Sequence, residues 1–482
     1  MPPSNLLVLM ADQHNRQFMG CAGHPVVRTP HLDALAARGT RFPNAYTNSP
    51  ICVPARAAVA TGRYPHQIEC WDNARPYVGV PASWGHRLTA AGRHVTTIGK
   101  LHYRAAADDT GFPDQIVPLH CHEGSGDYMG LLREASPPRQ QHRKYLLNAG
   151  AGDSEYLRYD REIAAQATRW LREDAHRHAE PWALMVSFVC PHPPFVAPPA
   201  YMAMYPPESV VLPVNWREED WVHHPALDLR RRLMTIDVPL DEPTLRQAIA
   251  TYYALCTFMD DQIGAVLETL RAEGFEDDTV VVYTNDHGDM VGKHGLWYKS
   301  LMYEDSAGVA MIVAGPDVPA GRVSETNVSL IDVFPTALDA TGVAPAPEDA
   351  DLPGVSLLEL AREPERRART AFSEYHASAS ASAIFMVRGD RFKLVYYVGM
   401  PPQLFDLDAD PDECHDLSAD PAHADALAAC ERELRAILDP EEVDRLARAD
   451  QRRRIEAAGG AEVILAEGVK FTHSPPPAEF MR

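Results

Sequence analysis

No stretch of this 482-residue sequence approaches the roughly 18 apolar residues that a membrane-crossing helix needs. Cysteine is sparse: eight residues, at 21, 52, 70, 121, 190, 256, 414 and 430, with no C-x-x-C and no paired spacing. That argues against a disulfide framework and suits a reducing cytoplasm. Positive charge is in deficit, with 45 Lys and Arg against 67 Asp and Glu and a formal net charge of −22. A nucleic-acid partner is thereby disfavoured, because phosphate backbones require a basic face. A small anionic substrate is not, since a few local cations and a metal can reverse the field inside a cleft. Internal repeats and low-complexity segments are also missing. The apolar opening "NLLVLMADQ" has neither a basic flank nor a small-residue cleavage site, so it reads as a buried strand rather than a signal peptide.

What is present is ordinary globular composition, 45% hydrophobic and 23% charged. Short β-branched or aliphatic runs alternate with helical patterns, the signature of a mainly parallel sheet wrapped by helices. Strands are expected at 5–10, 94–99, 182–189, 279–285 and 308–314. A helix is expected in "TPHLDALAARG", with Thr29 as its cap and Pro30 at its first position. A long one runs through "LRQAIATYYALCTFMDDQIGAVLETLRAEG" and stops at Gly274. The fold class is therefore α/β, a large mainly parallel sheet sandwiched by helices over residues 1–368. After that come close-set strands, "TAFSEY", "AIFMVR", "FKLVYY" and "QLFDL", then an amphipathic helix across 421–438. These predict a smaller C-terminal α+β subdomain over 369–444. The tail 445–482, from "ADQRRRIEAAGG" to "SPPPAEF", is expected to be loose or to pack on a neighbouring subunit of a homo-oligomer.

Open parallel sheets bind ligands beyond the carboxyl ends of their strands. The residues there are Asp12 and Gln13, Lys100 and His102, His192, and the run Asp286, His287, Gly288, Asp289, with Lys299 shortly after. Each alone has a plain explanation: Asp is a turn former, Lys a solvated charge, His among prolines a loop residue. Together they are more telling, because carboxylates gathered from two distant strands at one sheet edge would repel unless a cation held them. Asp12, Asp286 and the Gln13 amide oxygen are hard donors that favour Ca²⁺, with Mg²⁺ and Mn²⁺ as alternatives, and His287 tilts slightly towards Mn²⁺.

The stretch "SPICVPARAAVATGRYPH" (49–66) places Cys52 where a chain enters a helix, with Arg56 one turn on. In isolation this could be a buried structural thiol beside a helix-starting Pro54. Its surroundings, "TPHLDALAARGTRFPNAYTNSPICVPARAAVATGRYPHQ", together with "GKLHY", "CPHPPF", "TNDHGDMVGKHGLWYKSLMYEDS", "FMDDQIGAVLETL" and "QLFDLDADPDECHDL", resemble the formylglycine-dependent sulfatases of the alkaline phosphatase superfamily. The resemblance covers about residues 4–440, in order.

That resemblance implies an alkaline phosphatase-like fold and a small sulfate-ester substrate. It implies that Cys52 is oxidised to formylglycine by a formylglycine-generating enzyme. It also implies one divalent cation held by Asp12, Gln13, the modified Cys52, Asp286 and His287. In such enzymes the hydrated aldehyde attacks sulfur, and the sulfated hemiacetal collapses to release sulfate. Arg56 would hold the diol, Lys100 and Lys299 would clamp sulfate oxygens, and His102 would deprotonate the hemiacetal. His192 would assist the leaving oxygen, and Asn73 in "CWDNARP" would touch substrate. Dimers or tetramers are common among such relatives. Ala55 replaces the Ser frequent after the signature Pro, and Asp286-His287 replaces a common Asp-Asn pair; Asp-His is shared with choline-sulfatase-like enzymes and phosphonate monoester hydrolases. The alternative activity is therefore phosphonate monoester or phosphodiester hydrolysis with the same aldehyde. Retention of Lys100 and His102 favours sulfate. A catalytically dead scaffold would lack one of these groups, and a binuclear phosphatase would need further His and Asp ligands. Segments 104–150 and 195–240 are expected to set specificity, and their mix of aromatic and acidic residues does not choose a leaving group.

Overall fold

The computed structural model describes residues 3–468 and 474–478. Eight strands form the main sheet: β1 Asn5–Asp12, β2 Gly39–Arg41, β3 His94–Lys100, β4 Asp114–Leu119, β5 Trp182–Pro191, β6 Thr279–Asn285, β7 Met311–Ala314 and β8 Arg322–Val323. Their spatial order is β8-β2-β7-β6-β1-β5-β3-β4. β6, β1, β5, β3 and β4 are mutually parallel, whereas β7 runs antiparallel to both its neighbours. The apolar runs read from the sequence as strands are the interior of this sheet. The short β2, β4 and β8, which carry weak signals, lie towards or at its edges.

Alternation along β1 divides the core. Leu7, Leu9 and Ala11 face one apolar layer, built with α3 (Glu155–Glu173) and α4 (Glu242–Ala272). Leu6, Val8 and Met10 face the other, which includes α2 (Cys52–Thr61) and the helix Val333–Thr341. A strand covered on both faces is apolar at every position, which is why "NLLVLM" shows no period of two. All ten residues of α2 are buried. Ala55, Ala57, Ala58 and Ala60 give it an all-round small, apolar surface, and a helix of that kind belongs inside.

Thr29 stands at the start of α1 (Pro30–Ala37), as expected, but its side chain does not cap the helix. Its hydroxyl accepts from Gly20 N–H and donates to Asp33. The cap comes from α4 instead: Asp260 accepts the backbone N–H groups of His31 (3.0 Å) and Leu32 (2.8 Å). A cap supplied from a distant helix leaves no local trace in sequence.

A second sheet, fully antiparallel, follows: β9 Ala371–Tyr375, β10 Ile384–Arg388, β11 Phe392–Tyr397 and β12 Gln403–Asp406. The helices Ala424–Ile437 and Pro440–Ala457 cover it through Leu434, Val443 and Ala447. The segment after 445, expected to be loose or to pack on another subunit, is helical to Glu467. It is tied to its own chain: Arg454 pairs with Asp72 (3.1 Å), and Gln451 donates to Asp72 and to the His376 carbonyl.

The small sheet is joined to the main one by buried charge. Lys393 on β11, fully buried, donates to Glu304 (2.9 Å) and the Met302 carbonyl (2.8 Å), and pairs with Glu413. Glu304 also holds Arg16 and accepts from the Tyr46 hydroxyl (3.0 Å). Removing one member of such a network strands its partners' charge. Lys393→Met is therefore expected to lower the unfolding free energy by about 3–5 kcal/mol in urea titration. A loss no larger than the ~1 kcal/mol of a surface pair would contradict this role.

Candidate active site

Because β1, β3, β5 and β6 are parallel neighbours, their carboxyl ends reach one edge together. Asp12 ends β1, Lys100 ends β3, His192 follows β5 and Asp286 follows β6. The chain turns sharply as it leaves the strands: Gln13 and His102 have φ of 66° and 59°, a left-handed conformation uncommon outside glycine. Between His287 and Asp289 only glycine fits, since a Cβ at Gly288 would lie 2.0 Å from the Asp305 carbonyl oxygen. Cys52 opens α2 at the same edge.

Arg56, 1% exposed, gathers these ends. Its Nε donates to Asp286 (2.9 Å) and its Nη2 to Asp12 (3.2 Å). Its Nη1 reaches both the Lys100 carbonyl (2.7 Å) and Ser187 Oγ (2.8 Å). Lys100 Nζ lies 2.5 Å from the same Asp12 carboxylate. Burial alone would raise the Asp12 pKa, but Lys100, His192, Arg56 and Lys299 hold it well below the usual carboxylate range. Lys299 donates to the Gln13 amide oxygen, and the Gln13 amide nitrogen donates to Asp289 (2.5 Å). Asp289 also accepts Val291 and Tyr298 N–H, both at 2.9 Å, and so fixes the loop that presents Lys299.

Side-chain donor atoms of Asp12, Cys52, Asp286 and His287, all buried, lie within 4.8 Å of one another. His287 Nδ1 lies 3.1 Å from the Gly288 carbonyl, which assigns the proton to Nδ1 and leaves the Nε2 lone pair directed inward. Burial lowers the His287 pKa to about 4 and keeps it neutral at physiological pH. Nε2 is 3.2 Å from Cys52 Sγ and 3.6 Å from Asp286. Two carboxylates with an unprotonated imidazole nitrogen, shielded from water, form a donor set that fits a divalent cation. The Gln13 oxygen, expected as a further ligand, is engaged by Lys299 in this arrangement. His31, Asp260 and Asp261 also cluster, but there Asp260 serves as the cap of α1.

In front of this cluster opens a cavity of about 200 Å³. Cys52, Asn73, Lys100, His102, His192 and Lys299 all line it. Asp12, Gln13, Arg56, Asp286 and His287 do not; they stand behind as a support layer. Asn73 has a second engagement, since its Oδ1 accepts Val53 N–H (3.0 Å) at the start of α2. Burial, reinforced by Lys100 and Arg56, lowers the His102 pKa and keeps that ring neutral. His102 Nε2 contacts Ser474 Oγ, and the Tyr156 hydroxyl donates to the Ser474 carbonyl (2.8 Å). His192 Nδ1 is 2.7 Å from the Pro193 carbonyl, and its ring meets Tyr156 edge-on at 5.8 Å. Arg139, His142, Arg230, Tyr298 and Ser474 line the cavity without having been singled out from sequence. Both arginines lie inside the segments expected to set specificity.

Residues 4–343, well over half of the chain, match the family profile described as "Sulfatase". The chain belongs to the sulfatase family. Residues 292–439 of this sulfatase also match the profile "N-sulphoglucosamine sulphohydrolase, C-terminal". It is 32% identical to a choline-sulfatase of Rhizobium meliloti, over 85% of this chain and 81% of that one. It is 30% identical to arylsulfatase K of Danio rerio, over 85% and 79%. Its fold matches the crystal structure of the phosphonate monoester hydrolase of Agrobacterium radiobacter with a TM-score of 0.72, at 25% identity, over 93% and 96% of the two chains. The sulfatase is thus a sulfuric ester hydrolase with an alkaline phosphatase-like α/β fold. The family implies a divalent metal and a formylglycine, and the buried donor cluster supplies a place for both.

A ligand that binds only the folded state stabilises it by mass action, by about 2.7 kcal/mol at a hundredfold excess over its dissociation constant. Adding Ca²⁺ or Mn²⁺ to chelator-treated protein is expected to raise the melting temperature by several degrees. In Asp286→Asn the same addition should give little or no shift. An equal shift in that variant would place the cation elsewhere.

Proposed function

We propose that this sulfatase cleaves sulfate monoesters through a formylglycine formed by oxidation of Cys52. The observation carrying this reading is that Cys52 stands at the junction of the cation-binding cluster and the cavity while being ill-suited to act as a thiol. Burial, with Asp12 beside it, pushes its pKa up to about 12, so the sulfur stays protonated at neutral pH and is a poor nucleophile. A divalent cation held there would lower the pKa of a hydroxyl on the hydrated aldehyde at position 52 and so would supply the attacking oxygen. Asp12, Asp286 and His287 would hold that cation, which we assign as Ca²⁺ on its oxygen donors, with Mn²⁺ and Mg²⁺ as alternatives.

The chain's own groups provide the rest. Lys100, at the end of β3, and Lys299, on the loop after β6, reach the cavity and neutralise the sulfate oxygens, where charge builds in the transition state. Arg56, with Lys100, holds the Asp12 carboxyl below its usual range, bonds to Asp286 and orients the first turn of α2. His102, neutral and buried, accepts the proton whose loss releases sulfate, and His192 with Lys299 stabilises the departing alcohol oxygen. Asn73, on the cavity wall, contacts substrate and braces Val53. A maturation enzyme must supply the oxidation. All eight cysteines are unpaired, in keeping with a cytoplasmic setting, and no helix among the described residues is long and apolar enough to cross a membrane. Leu446, Val463 and Leu465, each more than 40% exposed on the C-terminal helices, offer an apolar surface for a homodimer or tetramer.

Phosphonate monoester hydrolysis is the second reading, favoured by the structural likeness to an enzyme of that name. Comparing kcat/KM on 4-nitrophenyl sulfate and 4-nitrophenyl phenylphosphonate separates the two, and sulfate is expected to dominate because Lys100 and His102 both line the cavity. Cys52→Ala should lower kcat by about 10⁴-fold or more, and His102→Ala by about 10²–10⁴-fold. Peptide mass spectrometry over residues 41–63 of active enzyme should show an aldehyde at position 52. An intact thiol in fully active protein would end this mechanism.

A further inference from the structure

The helix Pro225–Leu233 carries three consecutive arginines at 230–232. Arg231 is met by Asp228 (2.9 Å), the His294 carbonyl (2.9 Å) and the face of Trp221 (4.8 Å). Arg230 is treated differently. It is 3% exposed and lines the cavity, yet no described carboxylate forms an ion pair with it. Its Nη2 donates to the Lys299 carbonyl and the Tyr375 hydroxyl lies alongside, while Nε and Nη1 have no hydrogen-bond partner. A buried guanidinium without a counter-charge is costly, and such a charge persists where something outside the chain completes it.

Its neighbours do not complete it. Arg139, also on the cavity wall, is a second cation, and its own partner Asp127 (2.8 Å) also accepts Gly130 N–H. His142 lies within the field of Arg139, Arg230 and Lys299; burial and these cations lower its pKa to about 3, so it stays neutral and offers Arg230 no counter-charge. Because Arg230 is bonded to the backbone of Lys299, whose ammonium reaches Gln13 at the sulfate-binding pole, it stands just beyond the reacting centre.

We propose that Arg230, with Arg139 behind it, forms a second anion subsite on the leaving-group side of the cavity, so that the preferred substrates are sulfate esters whose alcohol portion carries a carboxylate or a further sulfate. This rests on the sulfate-ester reading above. It runs against a quaternary-ammonium alcohol such as choline, which would enter next to two guanidinium groups.

The test uses mature enzyme and a set of aryl sulfates that differ in one substituent: 3- and 4-sulfooxybenzoate, their carboxamide counterparts, and 1,4-phenylene disulfate. The anionic esters are expected to exceed the carboxamides in kcat/KM by about 10- to 100-fold, the range of a charge-assisted hydrogen bond. The benzoate and disulfate arms distinguish which anion is favoured. Arg230→Met should bring the anion-to-carboxamide ratio close to one, and Arg230→Lys should restore part of it. A ratio near one in the parent enzyme at both ring positions overturns the proposal. So does an Arg230→Met variant that loses activity while its ratio is unchanged, which would make Arg230 a structural group or a sulfate contact. If that variant does not fold, competitive inhibition of the parent enzyme by 4-hydroxybenzoate against 4-hydroxybenzamide decides instead, with stronger inhibition by the carboxylate expected. Absence of turnover on every ester would refute the sulfate-ester reading; turnover without anion preference would refute only the subsite.

Discussion

The geometry of this site depends on one buried guanidinium. Arg56 bonds to Asp12, Lys100, Ser187 and Asp286, four points on or just beyond four parallel strands. Two carboxylates beside one another in a dry interior repel, and neither Lys100 nor a divalent ion alone would fix their directions. A planar fork of donors does, since its nitrogens address fixed angles that a flexible ammonium cannot. The requirement acts on the helix too. For Arg56 to reach the sheet edge, α2 must lie deep within the core, and its alanine-rich sequence allows that.

This arrangement separates tasks by depth. Asp12, Asp286 and His287 sit behind Cys52 with no cavity exposure, whereas Lys100, His102, His192 and Lys299 face the open space. The two carboxylates and His287 are therefore held in a low-dielectric layer where charge acts strongly, apart from the side chains that line the open space. The rest of the wall is drawn from chain segments that differ in character from the strand exits: the short helical turns and helix start within 122–145, the helix carrying Arg230, and Ser474 near the C-terminal end.

Much of the deep layer was legible from sequence, because its residues follow apolar runs whose ends mark the sheet edge. Asp12 after "NLLVLM" and Asp286 after "TVVVYTN" announce themselves by position. The wall was not legible in the same way. Arg230 and Arg231 are adjacent in an "LRRRL" run whose local pattern does not separate them, yet both are buried, one neutralised and one not, and only packing distinguishes them. Asp260 looks like one acid in a long helix and is the cap of another. The residues after 445 read as a loose basic run, but Asp450 and Arg454 pair with Arg75 and Asp72 far back in the chain. Long-range pairing of charges is what a local pattern cannot contain.

The Lys393 network has a consequence for the order in which the protein is made. Cys52 leaves the ribosome early, while Asp286, His287 and Lys299 follow far later, and Glu304, already within reach of Arg16, lacks its second counter-ion Lys393 until β11 has been synthesised. Until those residues are made, the buried donor cluster around the thiol cannot be complete. In the finished fold Cys52 is 2% exposed and is reached through the cavity. Any catalyst that must grip that peptide has a natural interval in which to do so, and the closing of the fold brings the interval to an end.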